Sequence, residues 1–353
     1  MDNNQIELSF LSIFTLLTFF IFLLISKYSY KFKGGILLDQ DFLKPQAFHQ
    51  TAVSRSGGLA GVISLNIFFV IYYLIYSEII IEYLFLSNLM FLIGFLDDVR
   101  TKITPLKRLI LMMIFSFILI HFIPIKILNI DVPYLSILMN NNFFSSAFVL
   151  LCLLFIVNGA NLIDGFNGLL AINLIIINSI LVYINLHNGN IEFSVFIIGQ
   201  VIILLSFLLF NFPNSKIFFG DSGSYLMGSL ISLNAIITNN LNPNYSSFFF
   251  CTLLFYLFFE VFFSFIRKII QKKSPIHPDN KHLHMLVFKK VSLQYGKKTG
   301  NYINSIIINF IYFVCVFPAL YFAKDPNLSR YWFFLLILIY LFIYFRLYRL
   351  TKN

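Results

Sequence analysis

The feature that most constrains this chain is a series of apolar runs, each long enough to cross a lipid bilayer as a helix. A transmembrane helix needs roughly 20 mostly apolar residues. Eleven such runs lie near residues 8–26, 58–77, 79–96, 107–125, 143–159, 169–186, 193–210, 224–239, 248–266, 303–323 and 331–348. The run near 224–239 is the weakest, and the runs 58–77 and 79–96 are close enough to be read as one. The pattern predicts an all-α polytopic membrane protein with about eleven transmembrane helices.

Composition agrees with this interpretation, since 59% of the residues are hydrophobic and only 11% are charged. A soluble domain carries about 25% charged residues, so a water-soluble globule is excluded. Acidic residues rather than a basic segment precede the first run, which predicts a retained span and not a cleaved signal peptide. With no repeat at a fixed period and no separable soluble segment, residues 1–353 are predicted to form a single integral membrane domain.

The distribution of Lys and Arg predicts how the helices are oriented. If alternate loops face the cytoplasm, 22 of the 25 basic residues lie on that side, and only Lys126, Lys324 and Arg330 lie outside. Basic residues accumulate on the cytoplasmic side of membrane proteins. We therefore expect the N-terminus outside and the C-terminus in the cytoplasm. The net charge of +10 is then explained by topology and anionic lipid, with no need for nucleic acid as a partner.

Four conspicuous polar motifs stand at the ends of apolar runs. They are GFLDDVR (94–100), NGANLIDGFNGL (158–169), NFPNSKIFFGDSGS (211–224) and SPIHPDNKHLHM (274–285). All four fall on the predicted cytoplasmic face, which the distribution of Lys and Arg defines independently of them. This coincidence predicts one composite site, built from cytoplasmic loops.

The adjacent carboxylates of Asp97 and Asp98 need an explanation, because like charges repel and are costly to desolvate near lipid. A cation would stabilise the pair, and Mg²⁺ usually binds one or two carboxylates together with substrate phosphates. The alternative is a pair of ordinary acids at a span end that form ion pairs with Arg100 or Lys102.

Two glycine-rich motifs have both a structural and a functional interpretation. Gly165 and Gly168 belong to a sequence typical of turns, but glycine also lets a backbone approach a ligand closely. Asp221 stands between glycines just before a helix, where it could act as a helix cap or offer an oxygen to a cation. The start of a helix also favours bound anions.

The last motif is rich in histidine, with His277, His282 and His284 beside several lysines. These side chains suit hydrogen bonding to phosphate oxygens; zinc binding is an alternative, although no cysteine or HExxH motif is nearby. Glu260 lies inside an apolar run, two helical turns before Arg267. An acid within a membrane span is a functional hypothesis by default, and a role in helix packing is the alternative.

In this order, GFLDDVR, NLIDGFNGL, FFGDSGS and HPDNKHLH resemble the polyprenyl-phosphate N-acetylhexosamine-1-phosphate transferase family. The similarity extends from HQTAVSRSGG (His49–Gly58) to the histidine segment. Enzymes of this family transfer a sugar phosphate from a UDP-sugar to a polyprenyl phosphate, with Mg²⁺, and release UMP. The eleven spans resemble the branch that initiates O-antigen and related glycans. The muramoyl-pentapeptide branch typically has ten spans and three consecutive histidines.

The sequence departs from the family pattern at several positions. Asn167 stands where many members have a second Asp, and Met285 where many have another His. Glu260 replaces a common Asp, and Ala52, Ser54 and Ser56 replace common proline or glycine residues. Asn167 leaves the selectivity for nucleotide and sugar open.

The resemblance implies roles for individual residues. Asp97, Asp98, His282 and His284 would be catalytic, and Asp221 with Asp98 would bind Mg²⁺, or Mn²⁺ as an alternative. Phe218 would stack on uracil. The remaining substrate-binding residues would be Asn161, Asp164, Asn167 and Asn211 for the nucleotide, and Arg55, Arg267 and His277 for phosphate or lipid head groups. Whether attack is direct or proceeds through an aspartyl-phosphate stays open.

The resemblance also implies partners and location. The substrates would be a UDP-N-acetylhexosamine, with N-acetylglucosamine as the first choice, and undecaprenyl phosphate in a bacterial inner membrane. The product would be an undecaprenyl-diphosphate-sugar, the first membrane intermediate of O-antigen or cell-envelope polysaccharide, made by a homodimer with a cytoplasmic active site.

Two alternatives remain at this stage. One is an enzyme like phospho-N-acetylmuramoyl-pentapeptide translocase. The other is an ion-coupled secondary transporter that uses Glu260 and the Asp97–Asp98 pair as ion sites. Transporters place such residues near the bilayer midplane, often within inverted repeats. Because the polar motifs here cluster at one surface and no repeat is visible, the sequence favours an enzyme.

Overall fold

The computed structural model describes residues 3–39, 52–78, 80–99, 101, 103–275 and 279–351, and most of them are helical. The helices are α1 (Asn3–Tyr28), α2 (Gly57–Tyr76), α3 (Ile81–Asp98), α4 (Pro105–Phe122), α5 (Pro133–Met139), α6 (Asn142–Ile163), α7 (Leu169–His187), α8 (Ile191–Asn211), α9 (Gly220–Leu241), α10 (Ser247–Leu253), α11 (Phe255–Ile270), α12 (Leu283–Tyr295), α13 (Lys297–Val316) and α14 (Pro326–Leu350). Short 3-10 helices follow α1 (Ser29–Gly34) and α13 (Phe317–Phe322). Two short strands, β1 (Leu38–Asp39) and β2 (Val53–Ser54), pair antiparallel.

Helices cover most of each of the eleven predicted spans, and the fold is that of an all-α polytopic membrane protein. Within the described ranges, eight helices are long and apolar enough to cross a membrane, or nine if α10 and α11, which meet at an angle of 76°, form one broken span. The count of eleven is therefore not confirmed. The adjacent runs 58–77 and 79–96 correspond to separate helices, α2 and α3, as predicted.

Helix α9 explains why its segment is the weakest apolar signal in the sequence. It packs against α2, α3, α6 and α7, and most of its side chains are buried. The amide of Asn234 donates to Asn178 (2.9 Å) and Gln200 (2.7 Å) and accepts from the Tyr83 hydroxyl (2.8 Å). A helix surrounded by other helices can carry Ser and Asn, because neighbouring side chains satisfy them. Protein rather than lipid covers this span.

Close packing joins α2 and α3 to the start of α9. A Cβ atom added at Gly58 would collide with Ser222 and Gly223, and one added at Gly94 would collide with the backbone of Asp221. Gly58 lies at the start of α2 and Gly94 near the end of α3, so these two helices run antiparallel where they pack against the start of α9. Glycine lets the three backbones approach within contact distance.

This packing places the polar motifs at one end of the helix bundle, as the sequence predicted. The C-terminal ends of α3, α6 and α8 lie beside the N-terminal ends of α2, α4, α7 and α9, as contacts between their terminal residues show. The segment between α11 and α13 contains a further helix, α12.

Candidate active site

A polar cavity of about 130 Å³ opens at this end of the bundle. Its walls come from β1, β2 and the ends of α6, α8 and α9. Six of the predicted site residues line it: Arg55, Asn161, Asp164, Asn211, Phe218 and Asp221. Asp39, Leu162 and Phe166 also line it. Motifs separated by more than 150 residues along the chain therefore share one surface.

Asp98 links two of the motifs by capping the start of α9. Its carboxylate accepts hydrogen bonds from the backbone amides of Asp221 (3.0 Å) and Ser222 (2.9 Å), and from the Ser222 hydroxyl (2.6 Å). Nη1 of Arg55 lies 3.7 Å away, and the Asp98 side chain is fully buried. The positive end of a helix dipole and its free amides stabilise such a buried carboxylate.

These contacts change the role expected of Asp98. The sequence predicts a metal ligand, but both carboxylate oxygens already accept hydrogen bonds from α9. Among the two adjacent acids, Asp97 is the partly exposed one, with 29% of its side chain accessible. Asp97 is therefore better placed than Asp98 to share a cation with Asp221.

Arg108 joins Asp97 to Asp221 and is a residue that the sequence analysis did not select. Its Nη1 atom lies 2.9 Å from Oδ2 of Asp97 and also bonds Oδ2 of Asp221. The guanidinium packs over the ring of Tyr225, 5.5 Å from its centroid. The Thr104-Pro105 pair, a typical helix start, was the available signal, because it places Arg108 in the first turn at the same end of the bundle.

The α6 motif supplies an amide and a carboxylate to the cavity. Nδ2 of Asn161 donates to Oδ1 of Asp221 (3.0 Å) and to the Ser224 hydroxyl (3.0 Å). Asp164 follows α6 directly as its C-cap. Desolvation in the cavity wall and the nearby carboxylates of Asp221 and Asp98 raise the pKa of Asp164 well above its ordinary range.

Asn211 lines the cavity, but its main role is to fix the shape of the surrounding backbone. Its Oδ1 accepts from the backbone amide of Gly168 (2.6 Å), and its Nδ2 donates to the carbonyl of Ile217 (2.9 Å). Gly168 adopts a φ of +76°, a conformation that L side chains rarely adopt. Asn167, predicted to line the nucleotide site, instead donates to the carbonyl of Pro213 and does not line the cavity.

The two arginines proposed as phosphate partners differ in their surroundings. Arg55 lines the cavity and binds Asp39 at 2.7 Å. Arg267 lies beside the histidine motif, and its guanidinium binds both carboxylate oxygens of Asp279 in that motif (2.8 and 3.2 Å). Burial opposes ionisation of Asp279, but these hydrogen bonds and the charge of His282 outweigh it and lower the pKa. Arg267 does not line the cavity.

Glu260 anchors the histidine segment from within α11. One of its oxygens lies 3.1 Å from Nδ1 of His282 and accepts from the amide of Leu283 (3.1 Å). Its other oxygen accepts from the hydroxyl of Tyr340 in α14 (2.7 Å). Nε2 of His282 is 3.3 Å from Asp279. His282 is thus held on both ring nitrogens, and Tyr340 is a further residue that the sequence analysis did not select.

His284 connects this segment to the cavity only indirectly. Its ring stacks parallel to that of His282, with centroids 5.6 Å apart, and its Nδ1 lies 3.1 Å from the Tyr256 hydroxyl. On its other side it meets the ring of Phe166 at 5.7 Å, and Phe166 lines the cavity. Burial lowers the pKa of His284 to about 3, so the ring is neutral at pH 7. His277, also predicted to bind substrate, lies outside the described residues.

The residues present fit a cation whose coordination would be completed by substrate. In the part of the chain that the structure describes, no three His, Cys, Asp or Glu side chains are arranged to bind one metal ion. Mg²⁺ does not require such a cage, since it commonly binds one or two carboxylates, phosphate oxygens and water. Oxygens of Asp97 and Asp221 converge on a single point, at present on a nitrogen of Arg108. Donor type and charge there suit a divalent cation.

Comparison with known proteins gives one family match that overlaps this site and several similar proteins. Residues 79–239 match the sequence model described as glycosyl transferase family 4. An undecaprenyl-phosphate alpha-N-acetylglucosaminyl 1-phosphate transferase of Thermotoga maritima is 33% identical over 135 residues, which are 38% of this chain and 40% of that protein. A phospho-N-acetylmuramoyl-pentapeptide-transferase of Clostridium perfringens is 30% identical over 153 residues, 41% of this chain and 48% of that protein.

A longer match is with a probable undecaprenyl-phosphate N-acetylglucosaminyl 1-phosphate transferase of Bacillus subtilis. It is 28% identical over 240 residues, which are 67% of this chain and 66% of that protein. This chain therefore spans less than two thirds of each of these relatives.

Proposed function

We propose that this chain, whose residues 79–239 match the model of glycosyl transferase family 4, transfers an N-acetylhexosamine-1-phosphate from a UDP-sugar to undecaprenyl phosphate. The sequence motifs resemble the same group of enzymes. UDP-N-acetylglucosamine is the donor we propose first, because two of the relatives carry N-acetylglucosaminyl transfer in their names. The product would initiate O-antigen or a related envelope polysaccharide, and the site would face the cytoplasm.

The observation that carries the proposal is the polar cavity at one end of an apolar bundle. An aromatic ring (Phe218), amide and carboxylate side chains (Asn161, Asp164, Asp221) and an arginine (Arg55) line it together. A ring can stack on a nucleobase, and Arg recognises phosphate through its planar donors. Such a cavity suits a nucleoside diphosphate better than an ion path, because its residues lie at helix ends rather than at the midplane.

The reaction joins two anions. An oxygen of the lipid phosphate would attack the sugar-bearing phosphorus of the UDP-sugar, and the bond from that phosphorus to the UMP phosphate would break. A Mg²⁺ ion bound by Asp97 and Asp221 would neutralise charge on the phosphoryl oxygens. Arg55 would offset the remaining negative charge from the β2 side, and Asn161 would hold the Asp221 carboxylate in place.

The apolar part of the molecule offers a place for the lipid tail. A cavity of about 300 Å³ lies between α6, α9 and the bent pair α10–α11, and its lining includes Phe155, Ile156 and Phe258. Ile156 is five residues before Asn161 on α6, about 8 Å along the helix axis at 1.5 Å per residue. A prenyl chain seated there would leave its phosphate near the polar cavity.

The test is release of UMP by the purified protein in detergent, with Mg²⁺ and undecaprenyl phosphate. The donors would be UDP-N-acetylglucosamine, other UDP-N-acetylhexosamines and UDP-N-acetylmuramoyl-pentapeptide, because one relative is a pentapeptide transferase. We expect Asp221→Asn to lower turnover about 10²- to 10³-fold, as loss of one charge-stabilising group does. Glu192→Gln, an exposed acid in the first turn of α8 at the other end, is the matched control.

UMP release with the pentapeptide donor alone would move the assignment to the other branch. No release with any donor, or equal activity in Asp221→Asn and Glu192→Gln, would remove the support for this function.

A further inference from the structure

Arg108 occupies a position that a metal ion would need. A single nitrogen, Nη1, bonds Oδ2 of Asp97 and Oδ2 of Asp221 at once. A nitrogen donor stands about 2.9 Å from an oxygen, whereas Mg²⁺ sits 2.0–2.1 Å from its ligands. Two carboxylate oxygens that converge on one point cannot bind both cations there. Metal binding to this pair therefore requires Arg108 to leave.

The surroundings of Arg108 would keep it near the site after its ion pairs with Asp97 and Asp221 break. The residue is in the first turn of α4, and its guanidinium packs over the ring of Tyr225, with 17% of its side chain exposed. Burial beside Tyr225 and both carboxylates makes it a tethered cation and not a solvated surface charge. Its planar fork is suited to a phosphate group, which could take the place of the two carboxylates.

We propose that Arg108 is a resident counter-ion for Asp97 and Asp221, which is displaced when a divalent cation arrives and then binds the phosphate that the cation brings. The phosphate part rests on the proposed function, whereas the competition with metal does not. The metal alone has to break two ion pairs, so it binds weakly. The metal with a nucleotide gives Arg108 a new anionic partner, so it binds more tightly. The device couples metal binding to substrate binding.

The experiment is titration of the full-length protein in detergent with Mn²⁺ alone and with Mn²⁺ plus UDP, followed by electron paramagnetic resonance of free Mn²⁺. Arg108→Met is the test variant. Lys107→Met is the matched control, because Lys107 is exposed, adjacent in sequence, and loses the same charge. We expect Arg108→Met to bind Mn²⁺ alone about tenfold more tightly than wild type, and Lys107→Met to match wild type. UDP should strengthen Mn²⁺ binding less in Arg108→Met than in wild type.

Arg108→Gln repeats the test if the Met variant fails to fold, with unfolding temperature as the check. Equal or weaker binding of Mn²⁺ alone in the Arg108 variant than in wild type would overturn the proposal. Equal strengthening by UDP in variant and wild type would overturn its phosphate part. Neither measurement needs turnover, so failure of the transferase assay would leave the Mn²⁺ result interpretable.

Discussion

The carboxylate of Asp98, the last residue of α3, accepts a 2.9 Å hydrogen bond from the backbone amide of Ser222 in the first turn of α9. The two residues are 124 positions apart in the sequence. An acid from one helix therefore caps another, and it ties the DD motif to the GDSGS motif. The cap fixes the backbone that presents Asp221 to the cavity.

This relationship predicts different consequences for the two adjacent acids. Asp98→Asn keeps the size of the side chain but turns one acceptor into a donor that faces a backbone amide. Hydrogen bonds to charged groups contribute about 1.5–3 kcal/mol, so we expect about 2 kcal/mol of lost stability and loss of UMP release. Asp97→Asn should lower UMP release with little change in the unfolding temperature. Equal unfolding temperatures for the two variants would contradict the capping role.

The contact between α3 and α9 predicts that Gly94 tolerates no side chain. Its Cβ would collide with the backbone of Asp221, which cannot move without displacing the start of α9. Gly94→Ala should therefore cost about 1–3 kcal/mol, the range for overpacking, and separate Asp97 from Asp221. Gly61→Ala is the control, because its nearest neighbours lie at 3.4–3.5 Å. Thermal unfolding and UMP release measure both effects, and a Gly94→Ala protein as active as Gly61→Ala would refute the prediction.

Glu260 is predicted to position His282. Its oxygen contacts Nδ1 of the ring at 3.1 Å, and this contact helps to hold the imidazole in one orientation. Glu260→Gln should lower kcat about tenfold and leave KM for the UDP-sugar nearly unchanged, with a shifted pH profile. Glu260→Asp should restore part of kcat. A fall in unfolding temperature without any change in kcat or pH profile would show that the acid serves packing alone.

The neutral state of His284 predicts a loss of stability in acid. Its pKa lies at about 3 in the folded protein because of burial, compared with an ordinary value of 6.5. At a pH between these two values, His284 is protonated in the unfolded chain but neutral in the native protein. Stability should therefore fall as pH decreases from about 6.5 toward 3, by up to 1.36 kcal/mol for each pH unit.

His284→Gln should reduce this slope, measured as unfolding temperature against pH. His121→Gln is the control, because His121 is exposed at the other end of the bundle. Identical slopes in wild type and His284→Gln would exclude the buried histidine as the source.

The helical membrane fold and the common location of the motifs were accessible from the sequence, because they depend on local composition, although the number of spans was not. A run of apolar residues must be helical in lipid, since each backbone group needs an internal partner. Alternation of spans then assigns each connecting loop to one end of the bundle. The same reasoning gave only a weak signal for α9, because its Ser and Asn side chains are satisfied by other helices, which hydropathy does not register.

Individual roles in the site were decided by tertiary contacts. Arg108, Tyr340 and Asp39 carried no motif of their own, and Asp98 and Asn167 proved to bind backbone groups of other segments. Which of several nearby carboxylates caps a helix and which is left for a cation depends on distances of an ångström or less. The sequence by itself determined a helical membrane protein with its polar chemistry at one end. Only the packing of the helices determined which side chains meet there, because ion pairs and hydrogen bonds depend on positions in space rather than on order along the chain.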